Sequence, residues 1–397
     1  MGFSMTPSRS IRWLPLVALV VLSGCKKEDG GNKSNPAPGG STAAAKPMKI
    51  GLVTDVGGRG DQSFNDSGLR GLELWAAGKR FTTSGYVEAP KADYEQSVPK
   101  DLAAKELKPL SVQPVVLQSK VQEDYEPNLQ LLVDQGAGLS VGVGFMLENA
   151  VEAVAKRNPS ARFLLIDSPL LDEKGTPYTL PNVRTVVFRE EQGSFLVGAL
   201  AGLVTKTNKV GFVGGMEVPL IKRFEAGFRA GVMTTNPKAE IVVNYTGSFD
   251  NVAAGKQVGQ DLAAKGADVI FQAAGADGVG VIQAVKESRA QGTNVYVIGV
   301  DSDQHHVAPE AVLTSMLKRV DLAIYEGVRD AVTGKFTSGD VVMGLKEGGV
   351  TYADVRVDFP GKAEVLQKVE ALRQRVIAGE IKVPASAAEL ASFKAAP

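Results

Sequence analysis

The segment DVGGRGDQSFN, residues 55–65, places Gly57, Gly58 and Gly60 within four positions, ahead of Ser63, Phe64 and Asn65. Glycine lets a backbone approach a ligand closely, and Asn65 and Asp66 can cap a helix that starts here. A long strand-to-helix turn without a ligand is the competing reading. The Gly-Lys-Ser/Thr ending of a phosphate-binding loop is absent, which argues against a nucleoside triphosphate. Farther on, GFVGGMEVPLIKRFEAG (211–227) ends a strand at Gly214-Gly215 and starts a helix carrying Arg223, Phe224 and Glu225, while TGSFD (246–250) puts Phe249 directly after another strand. A loop phenylalanine is costly to expose, and stacking on a flat heterocycle would use it; core packing competes for Phe224 and Phe249 alike. QAAGADG (272–278) is a further strand–glycine–helix junction, whose Gly278-Val279-Gly280 lacks the spacing of a dinucleotide fingerprint. In GVDSD (299–303), Asp301 could accept two hydroxyl hydrogen bonds from a sugar, with helix capping as its rival role.

No set of residues assembles into a catalytic group, so no enzyme is expected. The two histidines, His305 and His306, are adjacent, so their side chains diverge and cannot chelate as a pair three or four apart would. Ser194 stands in Gly193-Ser194-Phe195, outside any nucleophile elbow. The single cysteine excludes an internal disulfide and a cysteine zinc site, and neither metal nor cofactor is expected. With 44 basic against 44 acidic residues scattered throughout, the chain lacks the excess positive charge of a protein that neutralises many phosphates, so nucleic acid is not an expected partner.

These loops need a scaffold that ends strands beside them. From residue 48 onward, short aliphatic runs alternate with helix-length amphipathic segments, the pattern of βα units with parallel sheets. Strands are expected at 48–54, 114–118, 139–144, 162–167, 183–188, 209–213, 241–245, 269–272, 295–300 and 312–316. Helices are expected at 66–77, 125–134, 147–155, 191–204, 220–232, 252–264, 278–289 and 322–332. A closing helix at 363–378 has apolar residues spaced three and four apart from Val365 to Val376. So many strands exceed one sheet of usual size, so the expectation is an α/β protein of two lobes, dividing near Phe188. In such sheets ligands bind beyond the carboxyl ends of the strands, which points to Asp55, Phe145, Asp167, Gly214, Gly247, Ala274, Asp301 and Lys318. Residues 79–112 break the alternation with charges and prolines and read as an insertion holding a short helix near 99–105.

The N-terminal segment stands apart. Residues 1–24 carry Arg9 and Arg12, no acid, and an apolar run at 13–22 too short to span a bilayer as a helix, followed by Leu22-Ser23-Gly24-Cys25. This is expected to be a lipoprotein signal peptide, with Cys25 lipidated as the first mature residue. Residues 25–47 hold glycine, proline, serine and charge without large aliphatic groups and are expected to form a disordered, lipid-anchored tether. The folded part would then lie in the cell envelope, at the extracytoplasmic or periplasmic surface of a membrane that it meets only through its lipid. Lys26 after the cysteine, by resemblance to the sorting rule of enteric bacteria, favours an outer membrane where one exists.

Taken together, LVTDVGGRGDQSFN, GVGF, GFVGGMEVPLIKRFEAGFRAGV, FQAAG, VIGVDSDQ and VLTSMLKRVDLAIYE resemble the basic-membrane-protein family of bacterial lipoproteins, solute-binding proteins of the purine nucleoside receptor type, over residues 48 to about 352. The resemblance implies a class I periplasmic-binding-protein fold: one lobe from 48–187 with a returning segment 315–339, the other from 188–314 with 340–397, hinged at three crossings. It implies a cleft that captures a nucleoside, purine by preference, and delivers it to the permease of an ABC importer. By the same resemblance, the base would lie between Phe64 and Phe249, with Phe224 as the alternative second face. Asp55 and Asn65 would contact the base; Asp301 and Lys318 would contact the ribose, assisted by the backbone at Gly275. Where the family commonly has an Asp after Gly144-Phe145, this chain reads Glu148-Asn149, and Asn149, able to donate and accept, would alter base preference. The insertion has no recognised family counterpart. A ligand sensor presenting its closed form to a signalling partner is the alternative function, and a nucleoside hydrolase the third, weakened by the missing acid–base pair.

Overall fold

A computed structural model describes residues 46–394. The expected signal peptide and lipidation site at Cys25, and the expected tether up to residue 45, lie outside the described residues, and none of the described helices is long and apolar enough to cross a membrane.

Two six-stranded sheets carry the fold. In the first, Gly339–Met343, Val183–Phe188, Phe163–Ile166, Leu139–Val143, Met48–Thr54 and Val112–Gln118 lie side by side, every pair parallel. In the second, Glu240–Tyr245, Lys209–Gly214, Val269–Ala273, Tyr296–Asp301 and Val312–Lys318 are parallel, and Val350–Tyr352 closes the edge antiparallel. Central strands such as Leu139–Val143 and Val269–Ala273 are buried throughout, as continuous aliphatic runs require when helices cover both faces. The edge strand Glu240–Tyr245 is mostly half-buried, and the edge strand Gly339–Met343 is mostly exposed.

The high glycine content has a direct structural use. Helices Glu190–Val204 and Pro219–Thr235 cross so closely that a Cβ at Gly198 would lie 2.2 Å from the Phe228 carbonyl oxygen, and one at Gly231 would lie 2.1 Å from that of Phe195. Only hydrogen fits at either point.

The chain passes between the sheets three times. Val183–Phe188 of the first sheet leads into Glu190–Val204, which packs on the second. Val312–Lys318 of the second leads into Val320–Val332, which packs on the first. Gly339–Met343 returns to the first sheet before Val350–Tyr352 rejoins the second. This corrects two expected boundaries. Residues 315–318 stay in the second sheet because their strand continues to Lys318 in register with Val300–Asp301 and Val350–Tyr352, and residues 340–343 belong to the first because they pair with Thr185–Phe188.

The insertion is more ordered than its composition suggests. It contains an antiparallel hairpin, Lys79–Thr82 with Gly85–Glu88, then the helix Lys91–Ser97 and a 3₁₀ turn, Lys100–Lys105. The expected short helix at 99–105 is that last turn; the hairpin has no clear signature in the sequence because its strands are four residues long and mostly polar.

Candidate functional site

The carboxyl ends of both sheets face one another across a cavity lined by Asp55, Gly57, Asp61, Phe64, Asn65, Gly144, Phe145, Asp167, Leu220, Ile221, Phe224, Phe249, Ala273, Gly275, Val300, Asp301 and Lys318, with about 540 Å³ of empty space counting the part open to solvent. Eight of the nine expected ligand-binding residues meet here. Asn149 does not: it is exposed on the helix Glu148–Arg157 and lines no part of the cavity. Its neighbour Glu148 also turns away, accepting hydrogen bonds from Ser168 Oγ at 2.6 Å and Leu171 N at 3.0 Å. The expected effect of Asn149 on base preference therefore loses its geometric basis.

The glycine-rich loop is built around acids. Asp55 Oδ1 accepts from Asn65 Nδ2 at 2.7 Å and Gly57 N at 2.9 Å, while Asn65 Oδ1 accepts from Asp55 N at 3.2 Å. The second amide hydrogen of Asn65 goes to Asp61 Oδ2 at 3.0 Å. With its amide committed inside the loop, Asn65 positions Asp55 rather than offering a donor to a ligand. The helix starts at Phe64, and its capping is done by Asp61, not by Asn65 or Asp66: Asp61 takes the backbone N–H groups of Ser63, Asn65 and Asp66. Asp66 instead accepts from Gly60 N and Gln62 N, closing the loop on itself. Gly144, with φ +116°, lets Asp55 and Phe64 approach; a Cβ there would lie 3.1 Å from Asp55 Oδ2.

Four aromatic rings, Phe64, Phe145, Phe224 and Phe249, share the walls. Phe64 and Phe249 are partly buried, whereas Phe224 is only 2% exposed and belongs to the core. Phe249 rests on glycine: a Cβ at Gly215 would lie 2.3 Å from its ring, and Gly275, at φ +56°, passes just under it. Phe145, from the first lobe, meets Phe249, from the second, edge to face with centroids 6.3 Å apart.

At the floor lies a buried ion cluster next to two of the three crossings. Lys318 Nζ, in a side chain 1% exposed, is 2.6 Å from Asp167 and 3.0 Å from Glu190 Oε1, and its ammonium stands 5.2–5.4 Å from the ring centroids of Phe64, Phe188 and Phe224. Ser63 Oγ donates to Asp301 Oδ2 at 2.5 Å, Ser302 Oγ to Ser63 O at 3.1 Å, and Gln304 Nε2 to Gln62 O at 3.0 Å. All three contacts join the lobes, as does Lys318 to Asp167, so the lobes are closed on the cavity. Burial pushes Asp55 and Asp301 up to about 7, against the pull of Asn65 on the first and of Lys318 on the second. It raises Asp167 to about 6 despite Lys318, with Glu190 adding to the rise. Burial opposes charge on Lys318 too, but Asp167, Glu190 and Asp301 together outweigh it and raise the ammonium. Asp167 and Asp301 also adopt left-handed backbones, φ +78° and +62°, which non-glycine residues adopt rarely and mostly where function requires it.

Residues 48–387 match the family model described as ABC transporter substrate-binding protein PnrA-like, Bmp. The chain belongs to this family. It is an ABC transporter substrate-binding protein by fold and by sequence. It is 33% identical over 380 residues to a CD4+ T-cell-stimulating antigen of Listeria innocua, covering 93% of this chain and 97% of that one. It is 31% identical over 385 residues to the ABC transporter nucleoside-binding protein BmpA of Lactococcus lactis, covering 94% and 97%. Among solved structures, an ABC transporter solute-binding protein from Aeropyrum pernix K1 superposes with a TM-score of 0.69 at 30% identity, over 87% of this chain and 96% of that one. As a Bmp-family member, the protein has the two-lobed arrangement of parallel sheets expected from its sequence.

Asp61, Phe145 and Glu190 were not among the residues expected to bind, nor was Asp167. Phe145 and Asp167 stood at strand ends, where position alone marked them. Asp61 lay inside the loop itself, and nothing in the sequence set Glu190 beside Lys318.

Proposed function

We propose that this protein captures a nucleoside, purine by preference, between its lobes and delivers it to the permease of an ABC importer, held at a membrane surface by a lipid on Cys25. The observation that carries the reading is the combination of accessible ring faces and unengaged carboxyl oxygens in one cavity. Phe64 and Phe249 supply the faces, with Phe224 as a floor beneath Lys318. Asp55 Oδ2 and Asp301 Oδ1 accept no hydrogen bond from the described residues. A base stacked between rings, with N–H groups at Asp55 and the ribose hydroxyls at Asp301, would satisfy both oxygens. Gly275 lines the cavity at the Phe249 wall; its carbonyl accepts from Gly278 N, so its N–H is the backbone group that would serve the sugar.

Four acids, Asp55, Asp61, Asp167 and Asp301, line the cavity against one ammonium, Lys318. That balance disfavours an anionic ligand and favours one rich in hydrogen-bond donors. His305 and His306 do not line the cavity, and Ser194 is buried within a helix. The relative named for nucleoside binding supports the same ligand class. Calorimetry with adenosine, guanosine, inosine, uridine and riboflavin tests the proposal. Binding of a purine nucleoside at micromolar concentration or below is expected, and no heat from any of the five removes the reading.

A further inference from the structure

The loop that brings Asp55, Asp61, Phe64 and Asn65 to the cavity has an unfavourable intrinsic shape. Gly58, Gly60 and Gln62 all have positive φ, at +59°, +99° and +54°, and Gln62 lacks the freedom of glycine. Such a backbone persists only where its surroundings over-determine it. Asp61 and Asp66 fix it from within, and Gln304 reaches it from the other lobe.

Its outer side is fixed by something else. Arg59 donates from both terminal nitrogens to Glu73, at 2.9 Å to Oε2 and 2.6 Å to Oε1, a two-pronged pair in which the Glu73 side chain is 7% exposed. Tyr86 donates its hydroxyl to the same Oε1 at 2.5 Å. The Arg59 guanidinium lies 4.6 Å from the centroid of Phe81. Phe81 and Tyr86 face each other in register in the insertion hairpin, their rings 5.2 Å apart and edge to face. The cross-strand aromatic pair of the hairpin therefore contacts both members of the Arg59–Glu73 pair, Phe81 the guanidinium and Tyr86 the carboxylate. Glu73 itself sits in the π-helical segment Arg70–Ala76, which continues the helix that begins at Phe64. None of Arg59, Glu73, Phe81 and Tyr86 lines the cavity. The exposure of Phe81, 47%, is thus accounted for by its role over a cation.

We infer that the hairpin Lys79–Thr82 with Gly85–Glu88 is a brace, and that Phe81 and Tyr86 are positioning residues which hold the ligand loop through Glu73 and Arg59. The consequence for ligand rests on the nucleoside reading; the rigidity of the loop does not.

Two variants test the brace. Tyr86→Phe deletes one hydroxyl and keeps the ring, and Phe81→Ala removes the cover from Arg59 while leaving the Glu73 contacts; Val87→Ser, an exposed change on the same hairpin, is the control. Amide exchange of residues 57–63 is read in the ligand-free protein, and guanosine and inosine affinities by calorimetry. Each positioning variant is expected to speed exchange of that segment and raise Kd, by roughly tenfold for Tyr86→Phe, the scale of one lost hydrogen bond to a charged group, and by roughly threefold for Phe81→Ala, the scale of an exposed cation–π contact. In a Phe64→Ala background, which already lacks the ring that the loop presents, Tyr86→Phe is expected to raise Kd less than it does alone. Unchanged loop exchange in folded variants overturns the brace, and so does faster exchange with unchanged Kd, which would free the site from the hairpin. Should the unaltered protein bind neither nucleoside, the functional reading fails, and the exchange result still decides the brace.

Discussion

Lys318→Met deletes one ammonium and preserves side-chain length, so the packing against Phe64, Phe188 and Phe224 survives while the charge does not. In the folded protein this ammonium is 2.6 Å from Asp167 and 3.0 Å from Glu190, whose side chains are 4% and 0% exposed. Removing one partner of a buried ion pair costs about 3–5 kcal/mol, because the remaining charge is left in a poor dielectric. Protonation limits that cost. Giving a proton to a carboxyl of ordinary pKa costs about 5 kcal/mol near pH 7.5 but only about 1.5 kcal/mol near pH 5. The variant is therefore expected to lose about 3–5 kcal/mol at the higher pH and about 1–2 kcal/mol at the lower. The sign follows from Asp167. Its pKa, already raised to about 6 with Lys318 present, rises further without it. A carboxyl raised on folding contributes stability below its unfolded value and loses it as pH rises through the folded value, so the deficit must widen upward from about pH 4. Urea unfolding of the ligand-free protein, followed by circular dichroism at both pH values, measures it. A deficit under about 1 kcal/mol near neutrality, or one that widens on acidification, would refute the argument that Lys318 compensates buried charge.

Three further outcomes are expected. Phe64→Ala should weaken nucleoside binding by roughly 1–3 kcal/mol, the range for an aromatic ring stacked on a base, whereas Asn149→Ala should leave it unchanged; calorimetry showing equal losses would move the ligand elsewhere. Asp301→Asn should cost a ribonucleoside about tenfold or more in affinity and its 2′,3′-dideoxy analogue little, and matching losses would remove the ribose contact. Since burial lifts Asp55 and Asp301 to about 7, ligand N–H and O–H donors favour their ionised forms, so affinity should be full above neutrality and fall as pH drops. Binding heats compared in buffers of different ionisation enthalpy should reveal proton release near neutrality, and an affinity that rises with acid would contradict the assignment.

The closed arrangement has a mechanical basis. Two of the groups in the buried cluster, Glu190 and Lys318, flank crossings of the chain, at the start of Glu190–Val204 and the end of Val312–Lys318. Asp167 belongs to the opposite lobe, so the ion cluster, the Ser63–Asp301 hydrogen bond and the Phe145–Phe249 contact all depend on lobe closure. The groups proposed to contact ligand and the groups that join the lobes are thus interleaved in one crevice, an arrangement in which occupancy would be coupled to lobe position.

By itself the sequence determined the alternation of strands and helices, because period and turn chemistry are local. Tyr125–Asp134 and Val252–Ala264 fall where apolar spacing puts them, and the strand ends at Asp55, Asp301 and Lys318 mark the crevice. It also determined the glycines that only a close backbone approach explains. Tertiary structure decided what depends on distant partners. Gly339–Met343, with Val341 and Val342 exposed, has no pattern of its own and becomes a strand only by pairing with Val183–Phe188. Asn149, which only the family resemblance marked, points to solvent because helix phase, not residue type, sets its direction. Asp167, Glu190 and Lys318 are separated along the chain yet share one charge cluster, since the crossings bring their strand and helix ends together. Local rules place elements, but a binding site made of strand ends from two sheets exists only once those sheets have met.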